Sequence, residues 1–100
     1  MFPPKIKDFA IELINRTETG EYSWVYDDDN SSVQLQANDF TVLLRYSFNS
    51  IEEHGEFVLF YYDNRDQKEY RFYTSQVWND YDIARRLFDS AQSSGLNLPF

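Results

Sequence analysis

Near the N-terminus the apolar residues fall at helical spacing. Ile6, Phe9, Ala10, Leu13 and Ile14 occupy i, i+3, i+4, i+7 and i+8, the pattern of one buried stripe. They predict a helix from about Pro4 to Arg16. Pro3 and Pro4 suit its start, where a missing N–H removes no helical bond. Thr17-Glu18-Thr19-Gly20 reads as its exit. The period then drops to two, and five strands are predicted between turn-forming clusters. The first is Glu21 to Tyr26, with Tyr22, Trp24 and Tyr26 on one face. The second is Ser32 to Ala37, alternating Val33, Leu35 and Ala37 against Gln34 and Gln36. In the third, Phe40 to Phe48, the residues Phe40, Val42, Leu44, Tyr46 and Phe48 oppose Thr41, Leu43, Arg45 and Ser47. The fourth, Glu56 to Tyr62, is apolar on both faces and belongs in the centre. The fifth is Gln67 to Thr74.

A second helix is expected within Gln76 to Ser94, with Ile83, Ala84, Leu87, Phe88 and Ala91 as its stripe. Either Ser75 or Asn79 can cap it. Gly95 suits the position just past its end, and Leu96 to Phe100 reads as a short tail. Turns between consecutive strands imply antiparallel neighbours. The reading is one α+β domain over residues 1–100: a helix, a five-stranded antiparallel meander and a helix, with both helices on one sheet face. Its expected core is Trp24, Leu35, Val42, Leu44, Leu59 and Phe72.

Thr17 and Gly20 at the helix exit, Trp24 on the first strand and Ala84-Arg85 in the closing helix form a short set of motifs. On these residues the chain resembles small uncharacterised bacterial proteins of helix, β-meander, helix type. The resemblance spans most of the chain. It implies this fold and a bacterial or mobile-element setting, and it implies no activity.

Composition adds to the pattern. With 42% hydrophobic and 19% aromatic residues, the chain has material for a packed core, unlike a disordered segment. It has no cysteine, which excludes disulfides and thiolate chemistry. No apolar run approaches the length of a membrane span, and no leader is visible, so the expected location is cytoplasmic with no membrane partner. The net charge of -8 disfavours direct nucleic-acid binding, because phosphates would be repelled.

That charge is not evenly spread. Residues 1–20 and residues 65–100 each balance. Between them, nine acids (Glu21, Asp27, Asp28, Asp29, Asp39, Glu52, Glu53, Glu56 and Asp63) face only Arg45. Alternate turns of a meander lie at the same end of its sheet. Asp27-Asp28-Asp29 in the first turn and Glu52, Glu53 and Glu56 around the third are therefore expected to meet as an acidic pole. Such a pole steers a basic partner, or simply opposes edge aggregation.

Candidate chemistry is sparse. His54, the one histidine, lies in the predicted loop Asn49–Gly55, reads as a solvated residue, and has no evident nucleophile to serve. One histidine is too few for a zinc site. The acids from Asp27 onward fail the calcium-loop pattern, with Ser32 at position 6 and Asn38 at position 12. No catalytic, cofactor or metal residues are therefore assigned. The remaining feature is the sheet face opposite the helices, which carries Leu43, Arg45, Val58, Phe60, Tyr62, Arg71 and Tyr73 where solvent-facing sheets usually carry polar residues. Aromatic and arginine enrichment matches an interface; a tail or a second copy of the chain could equally cover it. The expected function is a non-catalytic, immunity- or inhibitor-like module that binds a basic protein through the acidic pole or through Arg45, Phe60, Tyr62, Arg71 and Tyr73. The alternatives are a small enzyme, a ligand carrier or a nucleic-acid mimic.

Overall fold

The structure, a computed structural model, describes residues 1–96 and residue 99. Its elements are α1 (Pro4–Glu18), β1 (Val25–Asp27), β2 (Ser32–Gln36), β3 (Phe40–Asn49), β4 (His54–Asp63), β5 (Lys68–Ser75) and α2 (Tyr81–Ser93). The strands form one antiparallel sheet in chain order. The helix, meander, helix arrangement is the α+β fold that the hydrophobic pattern predicts. The expected tail, Leu96–Phe100, falls largely outside the described residues.

α1 runs one half-turn past its expected end. Gly20 stops it at φ +87°, a conformation glycine reaches without a Cβ clash. The Glu21 N–H then bonds the Arg16 carbonyl at 2.9 Å and the Gly20 N–H bonds the Thr17 carbonyl at 3.1 Å, the two bonds of a Schellman cap. The next segment departs from expectation. β1 has only three residues, and Tyr22 and Trp24 precede it. Trp24 is held by the helix ends instead of a ladder. Its indole N–H donates to Thr17 Oγ1 at 2.9 Å, and its backbone N–H to Ser94 Oγ at 2.8 Å.

Both helices lie on one face of the sheet, because Ala10, Leu13 and Ile14 of α1 and Ala84, Leu87 and Ala91 of α2 share a single buried cluster with Val33, Leu35, Val42, Leu44, Phe57 and Leu59. Of the expected core, Trp24, Leu35, Val42, Leu44 and Leu59 are buried, and Phe72 packs half-buried against them. The helices run side by side in the same direction. The Phe2 N–H, just before α1, bonds the carboxylate of Asp80 at the head of α2 at 2.6 Å, and Glu18 at the end of α1 meets Arg86 at 2.9 Å and Ser90 at 3.2 Å.

Two expectations about α2 and the third turn are corrected. Neither Ser75 nor Asn79 caps α2. Its N-cap is Asp80, whose carboxylate turns inward to the Phe2 N–H and the Thr74 hydroxyl rather than to the helix. The predicted loop Asn49–Gly55 shrinks to residues 50–53, and β4 begins at His54. Asn49 makes this possible: its Oδ1 accepts from the backbone N–H groups of Ile51 and Glu52 at 3.0 and 3.1 Å, and Glu53 takes φ +57°. Phe48 is on the helix side of β3 as expected, but the hairpin outruns the helices there and leaves it exposed.

Candidate functional site

The register assembles the face opposite the helices row by row. Val25, Gln34, Leu43, Phe60 and Arg71 are successive cross-strand neighbours. The next row on one side is Asp27, Ser32, Arg45, Val58 and Tyr73, and on the other Gln36, Thr41, Tyr62 and Glu69. Among the described residues both helices pack on the opposite face, and of these rows only Ser32 is buried. Leu43, Val58 and Phe60 are half-buried by their neighbours alone, while Tyr62 and Tyr73 are exposed.

Phe60 organises the centre. The guanidinium groups of Arg45 and Arg71 lie 5.6 and 5.5 Å from its ring centroid. Both are within the range of a cation–π contact, so the two exposed arginines hold their guanidinium groups beside an aromatic floor. Beside them Leu43, Phe60, Tyr62 and Glu69 border a shallow depression of about 250 Å³. A second groove of about 450 Å³ lies on the helix side, between α1 and β5, against Ile6, Phe9, Tyr61, Tyr70 and Phe72.

The sequence-predicted residues fall into two groups. Arg45, Phe60, Tyr62, Arg71 and Tyr73 are brought together on the open face. Glu56, expected to belong to the acidic pole around the third turn, joins them. It lies in β4, and its Oε1 accepts from Asn49 Nδ2 at 3.1 Å and from the Tyr73 hydroxyl at 3.0 Å. Partial burial and this carboxylate push the Tyr73 phenol above its usual range.

Asp27, Asp28, Asp29, Glu52 and Glu53 form the second group, at the end of the sheet that holds the first and third turns. The ladders stagger those turns. Ser32 opposes Arg45, whereas β3 continues four residues further to Asn49, about 13 Å at roughly 3.3 Å per residue. Several of the acids already have local partners. Asp27 accepts from Asn30 Nδ2 at 2.6 Å, which holds its carboxyl below the usual range. Asp28 accepts from the Tyr26 hydroxyl at 2.9 Å.

His54 is not the solvated loop residue that its acidic context suggested. Its side chain is 12% exposed, with Nε2 2.8 Å from Glu52 Oε2 and Nδ1 3.8 Å from Glu56 Oε1. The Glu52 hydrogen bond raises its pKa above the ordinary imidazole value. The sequence signal that could have found this was the alternation itself: His54, Glu56 and Val58 continue the open-face period of β4.

Among the described residues, no group of three or more His, Cys, Asp or Glu side chains is arranged to hold a metal ion. No helix among them is long and apolar enough to cross a membrane. No protein-family profile matches the chain, nor does any curated protein or solved structure. The likeness to small bacterial proteins therefore rests on its short motifs alone.

Proposed function

We propose that the protein is a non-catalytic acidic binding module of bacterial or phage type, immunity- or inhibitor-like and cytoplasmic, that docks a basic protein on the open sheet face. The observation that carries this reading is the uncovered face itself. It sets Phe60, Tyr62, Tyr73, Leu43 and Val58 beside Arg45 and Arg71 in one continuous patch. Aromatic and arginine anchors surrounded by polar groups are the composition of a protein interface. The choice of a basic partner rests on the net charge of -8, all of it carried by residues 21–64. Of these, Asp28, Asp29, Glu52 and Glu53 flank the patch at one end of the sheet and would speed encounter at low salt.

The test is capture on immobilised chain, comparing the native sequence with a variant carrying Phe60→Thr, Tyr62→Thr and Tyr73→Thr. Threonine keeps strand propensity while removing the rings. A basic protein held by the native chain and lost by the variant is the expected result. Equal capture by both would exclude the open face. Changing Asp28, Asp29, Glu52 and Glu53 to their amides should slow association with that protein and flatten its salt dependence. An unchanged on-rate would reduce the acids to a solubility role.

A further inference from the structure

β5 is the long free edge of the sheet. The opposite edge, β1, is only three residues, and the Trp24 N–H just before it is engaged by Ser94. In β5 the outward residues can be identified from their bonds. The Tyr73 carbonyl accepts from the Met1 amino group at 2.7 Å, so Tyr73 faces away from β4. By the two-residue period of an antiparallel ladder, Arg71 and Glu69 face outward too. Further along, the Ser75 carbonyl is taken by the Trp78 N–H at 3.0 Å. The backbone groups of Glu69 and Arg71, two N–H and two C=O, take no hydrogen bond among the described residues. Their side chains make no ion pair there either. A bare edge of this kind is a template for another strand.

We propose that the β5 edge pairs with β5 of a second copy of this chain, antiparallel, in the register that sets Tyr70 opposite Tyr70. Charge selects both the occupant and the register. Pairing must match outward residues with outward residues. Centred on Glu69 it opposes two carboxylates; centred on Arg71 it opposes two guanidinium groups. Centred on Tyr70, it places Glu69 of each copy directly across from Arg71 of the other. That register uses all four free backbone groups of each edge and creates two cross-strand ion pairs on the open face. On the helix side it brings the two Tyr70 rings together. Tyr70 is 46% exposed and lies at the groove of about 450 Å³ beside α1, where a second ring would exclude water. Edge pairing leaves the open face uncovered, so the inference stands independently of a basic protein docking there.

The test combines sedimentation equilibrium with a single-thiol cross-link. The native chain should self-associate. Glu69→Arg alone, or Arg71→Glu alone, turns both ion pairs into like-charge pairs and should weaken association about tenfold. The double exchange Glu69→Arg with Arg71→Glu should restore it. Because the chain has no cysteine, Tyr70→Cys introduces one thiol. Opposed residues of a non-hydrogen-bonded pair lie about 4.5 Å apart at Cα, within disulfide range. Oxidation should therefore link the copies covalently, and Tyr62→Cys on the open face should not. A native chain that stays monomeric to millimolar concentration overturns the proposal. So does association insensitive to the single reversals, or cross-linking no faster at position 70 than at position 62.

Discussion

Leu59 and Phe60 are neighbours in β4, and they face opposite sides of the sheet. Leu59 is fully buried between the sheet and the helices. Phe60 points the other way, half-buried, with an arginine on either side. The same contrast repeats in β3, where Leu44 is buried and Arg45 exposed. A half-open sheet normally separates apolar from polar at each step. This one separates aliphatic packing from an aromatic and arginine surface. Both faces are apolar in β4 by residue type, yet among the described residues only one of them is closed by helices. The fold therefore requires the helix-side face, while no helix among the described residues covers the second.

The largest effect expected from breaking this contrast is on the covered side. Leu44→Ala should cost about 2–5 kcal/mol in equilibrium denaturation, the range for a large-to-small change in a packed core. A loss below about 1 kcal/mol would remove Leu44 from the core and with it the register. Next is the fastening of the helices over that face. Asp80→Ala leaves the buried Phe2 N–H and Thr74 hydroxyl without their shared acceptor, and should cost about 1–3 kcal/mol. On the open side the expected effect is smaller. Arg45→Ala removes one cation–π contact at an exposed site and should change stability by about 1 kcal/mol or less.

The smallest effect is one of pH. His54 sits on the open-face side of the β3–β4 hairpin between Glu52 and Glu56. Its folded pKa is raised, so its contribution to stability is present below the ordinary imidazole value of 6.5 and is lost as pH rises through the folded value. An NMR titration should show the elevated value in the native chain and its return toward 6.5 in Glu52→Gln. An unshifted native His54 would dissolve the Glu52 contact.

Much of the covered side was legible in the sequence, because buried apolar residues at periods of 3.6 and 2 leave a direct trace. The pattern puts Trp24 in the core, where it is, but on a strand it does not occupy, since its partners Thr17 and Ser94 lie at the two helix ends and are invisible to local alternation. Gly20 announced the end of α1 because a left-handed residue there has few substitutes. The α2 cap leaves no local signal, because Asp80 uses its carboxylate for tertiary contacts rather than for its own helix. On the open side, the alternation located Arg45, Phe60, Tyr62, Arg71 and Tyr73, but not how they engage one another. His54 alone reads as a loop residue, because its acidic neighbours resemble a turn. The Asn49 side chain tightens that turn, and no periodicity reports it.

The central claim is that one face holds the fold and the other is free for a partner. It is tested most directly by urea denaturation of two variants in parallel, Leu44→Ala and the combined Phe60→Thr, Tyr62→Thr, Tyr73→Thr chain. The account predicts that three replacements on the open face lower the midpoint less than the single replacement on the covered face, with cooperative unfolding retained. A triple variant that unfolds, or that loses more than Leu44→Ala, would make the open face part of the core and contradict the account.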